Sequence, residues 1–425
     1  MENTQHTAAA TGSGVIVIGA GIVGLCTAYA LRKKGMTVTV IDPEEPGTQC
    51  SYGNAGAISF GSVAPLAMPG VMKNAVAMLL DADSPLHVPF RYWMHAAPWL
   101  SRFVASATPQ RVEQIASALQ QLFAGAMDNH RALAQEIGCP QRVVQTGQLH
   151  LYRDANALAK DTGSWQLRER HGVRTERLDA DGIRALEPAL SPAYRTAVFM
   201  PEQGAVTEPF LYAEAVAAAF RERGGVILRD RVMGLAKTAG QSAGWRVQGT
   251  QQAYQTQHVV VAAGAWSAAL LRPLGWRVPL ESQRGYHLHV AEPQISISRP
   301  LVFADRKVFV VPMETGLRIS GTVEFGGLRM RPTWRRADLL GVAAKEGLPA
   351  LRLAPQASRW MGHRPCLPDS LPVLGPVPRS PGLWCAFGHG HLGVTGSVNT
   401  AQWIASAIAG AMDMAKFEAF SIARF

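Results

Sequence analysis

Residues 14–42 read GVIVIGAGIVGLCTAYALRKKGMTVTVID, and this stretch decides the fold. Val15–Ile18 is a short apolar run that predicts a buried strand. Gly19, Gly21 and Gly24 follow in the spacing G-x-G-x-x-G, with Ala20 inside the turn. Leu25–Lys34 carries small and apolar residues at helical spacing, and Gly35 sits where a helix ends. Thr37–Ile41 is β-branched and closes on Asp42. Strand, glycine turn, helix and strand together predict a dinucleotide site. Gly19 frees the turn, Gly21 lets backbone approach a pyrophosphate, and Gly24 lets the helix lie close to the sheet. The helix N-terminus offers free N–H groups to the anion, and Asp42 offers acceptors to a ribose diol.

The chain around it has 425 residues, 48% of them hydrophobic and 17% charged, with a formal charge of +10. That length and composition predict an α/β body with a second lobe rather than a disordered chain. The positive charge raises the question of an anionic partner. No RNA-binding signature, zinc-finger spacing or long basic run accompanies it, so a nucleic-acid partner is not expected. Cys26, Cys50, Cys139, Cys366 and Cys385 are scattered without a C-x-x-C pair, which fits a reducing compartment. Residues 1–13 lack a basic region and an apolar core; they read as a disordered tail rather than a secretory signal. The expected location is cytoplasmic.

After Asp42 the chain reads PEEPGTQCSYGNAGAISFG, rich in glycine and without an obvious helix. A nicotinamide-dependent dehydrogenase ordinarily continues its βαβ pattern here. This segment instead resembles the second flavin-contacting run of the FAD-dependent D-amino acid oxidase superfamily, through Ser51, Asn54, Ala55 and Gly56. Other segments resemble that superfamily in the same order. They are AVFMPEQGAVTEPFLYAEAVAAAFRERGGVIL from Ala197, Val232 at the adenine side, and Ala263-Gly264-Ala265-Trp266-Ser267. PLESQRGYHLHV from Pro279, WMGHRPCLPDSLPVLGPV from Trp360 and GHGHLGVTGS from Gly388 follow.

The resemblance covers about residues 14–410. It implies an α/β fold: a Rossmann-like FAD-binding domain of the D-amino acid oxidase and glutathione reductase type, with a mixed-sheet substrate domain. Residues 14–60, 197–280 and 360–425 are expected in the first, and residues 61–196 and 281–359 in the second. The helical pattern RVEQIASALQQLFAGAMDNHRALAQEI, from Arg111, is assigned to the second. FAD is expected without a covalent tether, because Cys366 does not align with the tethering cysteine of the sarcosine-oxidase branch.

GHGHLGVTGS poses a separate choice. His389 and His391 form H-x-H, which supplies at most two metal ligands, and no partner cluster completes a site. No metal is expected. The glycines mark backbone close to a flat or anionic group. Gly390, His391, Leu392, Gly393 and Thr395 are read as flavin contacts, with the following helix N-terminus stabilising charge on the reduced ring. His391 is the candidate near flavin or substrate; His389 is read as holding the loop.

The superfamily places a carboxylate-binding arginine in the segment matched by Arg364. A planar guanidinium suits that task, although an ion pair with Asp369 would make Arg364 structural instead. Tyr286 is the second candidate, as a carboxylate contact or pocket wall. The resemblance is strongest to bacterial D-amino acid dehydrogenases. It implies hydride transfer from Cα to flavin N5 and electrons passed to a quinone, on the inner face of the cell membrane. PEQGAVTEP leans toward D-proline or cis-4-hydroxy-D-proline. The Trp- and Pro-rich stretch 60–107 and the basic run GLRMRPTWRRAD are the candidate membrane contacts, with burial in the substrate lobe and a solvated face as their respective alternatives. Two other readings stay open: a soluble oxidase of the sarcosine or glycine type that makes hydrogen peroxide, and an FAD-binding subunit of a larger complex.

Overall fold

The computed structural model describes residues 14–70, 84–238, 244–353 and 357–425. The expected tail, and VMKNAVAMLL within the stretch 60–107, lie outside the described residues.

The first strand, Val15–Ile18, is buried throughout and lies parallel to Val38–Asp42 on one side and His258–Val261 on the other. Val226–Arg229 and Leu383–Phe387 extend this parallel sheet, and Val373–Pro376 closes it antiparallel. Continuous apolar runs such as HVVV and LWCAF fit strands covered on both faces. One face is covered by helices Ile22–Lys33, Pro209–Glu222 and Gly393–Ile408. A three-stranded antiparallel sheet, Val232–Lys237, Trp245–Gly249 and Ala253–Thr256, packs with the other face.

A second, ten-stranded sheet has Glu281–Val290 near one end, bonded to Gly316–Ser320, Val323–Phe325 and Ser358–Cys366. Thr196–Met200 pairs in this sheet with Gln148–Tyr152. The expected boundaries at 197 and 360 therefore fall inside strands of the large sheet, Thr196–Met200 and Ser358–Cys366.

The pattern from Arg111 forms two helices, Pro109–Phe123 and Ala126–Glu136. Their apolar faces share a core with the nucleotide-side helices and with Tyr152, Trp165 and Val173. Asn399 fixes the docking: its side chain donates to the Leu122 and Ala124 carbonyls at 2.8 Å and accepts from Asn129 at 2.9 Å. Among the described residues no helix is long and apolar enough to cross a membrane.

Candidate active site

A cavity of about 530 Å³ runs from Asp42 and Val232 at one end to Gly388–Gly390 at the other. Gly19, Gly21, Ile22 and Val23 line its middle, so the first turn of helix Ile22–Lys33 faces it. Gly19 has φ +113°, and a Cβ there would stand 2.4 Å from the Ala262 carbonyl oxygen. A Cβ at Gly24 would stand 1.9 Å from the Gly19 oxygen, so this glycine closes the turn onto the strand. Neither position admits a side chain. Gly21 has only the Ser51 hydroxyl within reach of a Cβ, at 3.5 Å; its value is the open approach to the helix end.

Asp42 serves the turn directly. Its carboxylate accepts the Ala20 N–H at 2.7 Å and the Glu44 N–H at 2.8 Å, while burial pushes its pKa above the usual value. Ser51 accepts the Ile22 N–H at 2.9 Å and so occupies one donor of the helix end. Asn54 accepts the Gly56 N–H at 2.8 Å. Gly56 has φ +74° and sits against the Val206 carbonyl. Ser51, Asn54, Val232, Ala263, Gly264, Trp266, Gly390 and Gly393 line the cavity. Ala20, Gly24, Ala55, Gly56, Leu392 and Thr395, also expected at the cofactor, do not. Leu392 belongs to the apolar core. The Thr395 hydroxyl is spent on backbone, accepting from Ser59 N–H and donating to the Ala57 oxygen, each at 3.1 Å.

The two histidines separate. His389 is buried, its Nε2 lies 2.9 Å from the Thr400 hydroxyl, and burial lowers its pKa to about 4. His391 is exposed and, unlike the expected flavin contact, does not line the main cavity; it borders the small pocket it shares with Leu66, Trp99 and Leu392. That surrounding and, secondarily, the Arg364 charge hold its imidazole below its ordinary value. Among the described residues no group of three or more His, Cys, Asp or Glu side chains gathers as a metal site.

Arg364 lies on strand Ser358–Cys366, directly opposite Gln283. Its guanidinium packs over Gly285 and donates to the Thr322 carbonyl at 2.8 Å. Among the described residues no carboxylate pairs with it. Asp369 pairs instead with Arg424 at 2.8 Å and Arg111 at 3.4 Å. Tyr286 is fully buried and stays away from the cavity; its hydroxyl donates to Glu324 and accepts the Thr333 N–H at 2.9 Å. The same Glu324 holds buried Arg284 at 2.9 Å. Tyr286 thus fastens the sheet to the loop before helix Arg335–Gly347.

Other residues reach the site without a sequence signal of their own. Buried Arg318 donates to the Tyr52 and Asn54 carbonyls at 3.1 and 2.6 Å and pairs with Glu208. His287 faces the Gly53 carbonyl at 3.1 Å and stacks on Trp360 at 5.1 Å. Trp360 in turn lies where a Cβ on Gly53 would fall. His363 projects into the cavity with Ser282 at 2.8 Å and the Trp266 ring at 5.6 Å.

A long cavity against a glycine turn and helix N-terminus, with an acid at the second strand, is the site of a dinucleotide-dependent enzyme. Residues 14–407 match the family described as FAD dependent oxidoreductase (DAO), and the chain belongs to that family. It is 37% identical to a D-amino-acid oxidase of Bradyrhizobium diazoefficiens, over 97% of this chain and 99% of the relative. It is 29% identical to a D-amino acid dehydrogenase of Dechloromonas aromatica, over 93% and 97%. The fold is that of glycine oxidase from Geobacillus kaustophilus, with TM-score 0.74 at 20% identity over 97% of this chain and 99% of that one. The cofactor is FAD, and the glycine turn, Asp42 and the loop Ser51–Gly56 fit it.

Proposed function

We propose that this chain dehydrogenates D-amino acids at the Cα–N bond and passes the electrons to a quinone. Arg364 carries the reading. One of its N–H groups holds the Thr322 carbonyl, no carboxylate among the described residues pairs with it, and that leaves the other N–H groups of its planar fork for a substrate carboxylate. The names of the two relatives supply the D-amino acid class.

Bound FAD supplies the two-electron sink for the Cα hydride. The protein's part is placement. Arg364 fixes the carboxylate, and burial beside Gly285 limits its motion. Loss of hydride from Cα and a proton from nitrogen leaves an imino acid, which water converts to a 2-oxo acid and, for a primary amine, ammonia. A substrate bound as the neutral amine needs no strong carboxylate base, in keeping with the absence of an acid among the proposed substrate contacts.

Peripheral membrane contact is part of the proposal. Phe90 and Met94 are 90% and 85% exposed, with Arg91 between them. Tyr92 packs on Gly327, which brings this segment beside exposed Leu328 and Met330 and the basic run through Arg331. Apolar tips among arginines suit an anionic bilayer surface. Phosphatidylglycerol vesicles should carry the protein on flotation, and Phe90→Ser should leave it behind.

The oxidase reading keeps one supporting observation, the name of the Bradyrhizobium relative. Anaerobic reduction of the bound flavin by D- and L-amino acids, followed by air or by a soluble quinone, tests both. The proposal expects bleaching by D-substrates, slow recovery in air and fast recovery with quinone. Rapid recovery in air with stoichiometric peroxide establishes the oxidase; no bleaching overturns both.

A further inference from the structure

We infer that a small chamber behind the glycine loop receives the substrate side chain, and that Trp99 and Phe103 set the size it accepts. This inference rests on the D-amino acid reading and specifies its substrate range. The chamber has a volume of about 30 Å³ and shares Gly388, His389 and Gly390 with the main cavity. The two cavities therefore adjoin at the loop read as a flavin contact.

Its position relative to Arg364 follows from strand register. Gln283 stands directly opposite Arg364, so the two side chains share a face of the sheet. Cys366, two residues beyond Arg364, shares it too. Gln283 and Cys366 both line the chamber. Arg364 itself lines neither cavity, but its neighbours on that face, Gln283 and Cys366, border the chamber.

The far wall is apolar. Trp99 and Phe103 come from one turn of helix Trp93–Ala105 and stack at 5.3 Å with an interplanar angle of 16°. Trp99 is also braced edge-on by Phe325 at 5.3 Å, and its indole N–H donates to the Cys366 carbonyl at 3.4 Å. Leu66 and Leu119 complete the wall. Among the described residues no ionised side chain lines it, so charged substrate side chains meet a desolvation penalty without compensation. The room suffices for only one or two water-sized groups. The accepted side chains are those of alanine or the ring of proline. Leucine and phenylalanine require the wall to retreat, and its stacked, braced rings resist that.

The test compares kcat/KM for D-alanine, D-proline, D-leucine, D-phenylalanine and D-glutamate in the FAD-loaded wild type, Phe103→Ala and Leu66→Trp. Flavin content reports folding. Wild type should favour D-alanine or D-proline over D-phenylalanine by at least about 100-fold. Phe103→Ala should shift the phenylalanine-to-alanine ratio at least about tenfold toward phenylalanine. Leu66→Trp acts from the half-exposed side of the chamber and needs no core rearrangement. It should move the proline-to-alanine ratio at least about fivefold the other way. A wild type that oxidises D-amino acids, with both variants keeping its ratios, overturns the chamber while the function stands. Preference for D-glutamate also overturns it. A wild type that oxidises no D-amino acid overturns the function and the chamber together.

Discussion

The Arg318 guanidinium pairs with the Glu208 carboxylate at 3.2 Å, both side chains buried, while it donates to the backbone carbonyls of Tyr52 and Asn54. One cation thereby ties three pieces: the large sheet, the start of helix Pro209–Glu222 and the loop proposed to pass the flavin. Removing one member of such a pair leaves the other charge buried alone, which typically costs about 3–5 kcal/mol. Arg318→Ala should lower unfolding free energy by that order and release FAD on dilution. Urea unfolding with flavin fluorescence checks both. Loss of stability without flavin release would confine Arg318 to a structural role.

Gly19→Ala should abolish FAD retention. The added Cβ meets backbone, the Ala262 oxygen at 2.4 Å, and backbone cannot step aside as a flexible side chain can. The left-handed φ of +113° adds strain of its own. Gly21→Ala, by contrast, meets only the Ser51 hydroxyl at 3.5 Å, so the protein should fold. Its flavin should still weaken, because the methyl intrudes on the helix end. Soluble yield and the ratio of flavin to protein absorbance separate the two. Equal yields would show that the turn has more slack than its contacts suggest.

These contrasts also explain how much the sequence disclosed. The turn from Gly19 to Gly24 and the acid at Asp42 were legible because their constraints are local: a strand, a tight turn and a helix must meet within a few residues. Arg318 and Glu208 are separated by 110 residues. No local pattern links them. The chamber gathers residues from Ser62 to Leu392, so its size is written only in the packing. Tyr286 illustrates a different gap. In sequence it reads as a carboxylate contact or pocket wall, but the acid that takes its hydroxyl, Glu324, lies 38 residues away and no local pattern names it. The helices from Pro109 to Glu136 showed an apolar face correctly, yet amphipathicity says that a face is covered, not what covers it.

Stability should fall as pH drops from about 6.5 toward 4. His130 and His389 are buried and held neutral, their pKa values lowered to about 4, and His150 and His287 are lowered to about 3, in each case chiefly by burial. The unfolded chain protonates these rings near 6.5. Between the two values the unfolded state binds more protons, so each ring removes up to about 1.4 kcal/mol of stability per pH unit. The contribution is present above 6.5 and lost on acidification. Urea midpoints from pH 7.5 to 4.5 measure it, and His389→Gln should flatten the slope by about one proton. An unchanged slope would mean that His389 takes its proton in the folded state.

Arg364→Ala should keep its flavin and lose its substrate. The guanidinium contacts Gly285 and the Thr322 carbonyl but does not line the main cavity, so its removal spares the dinucleotide contacts. Losing a charge-assisted, bidentate carboxylate clamp costs about 2–5 kcal/mol, or roughly 30- to several-thousand-fold in kcat/KM. Arg364→Lys keeps the charge but not the fork and should fall between. The readout is the D-amino acid concentration that half-bleaches the flavin under anaerobic conditions. It should rise at least about thirtyfold in Arg364→Ala, with the ratio of flavin to protein intact. If bleaching needs only the wild-type concentration, the carboxylate is held elsewhere than at Arg364.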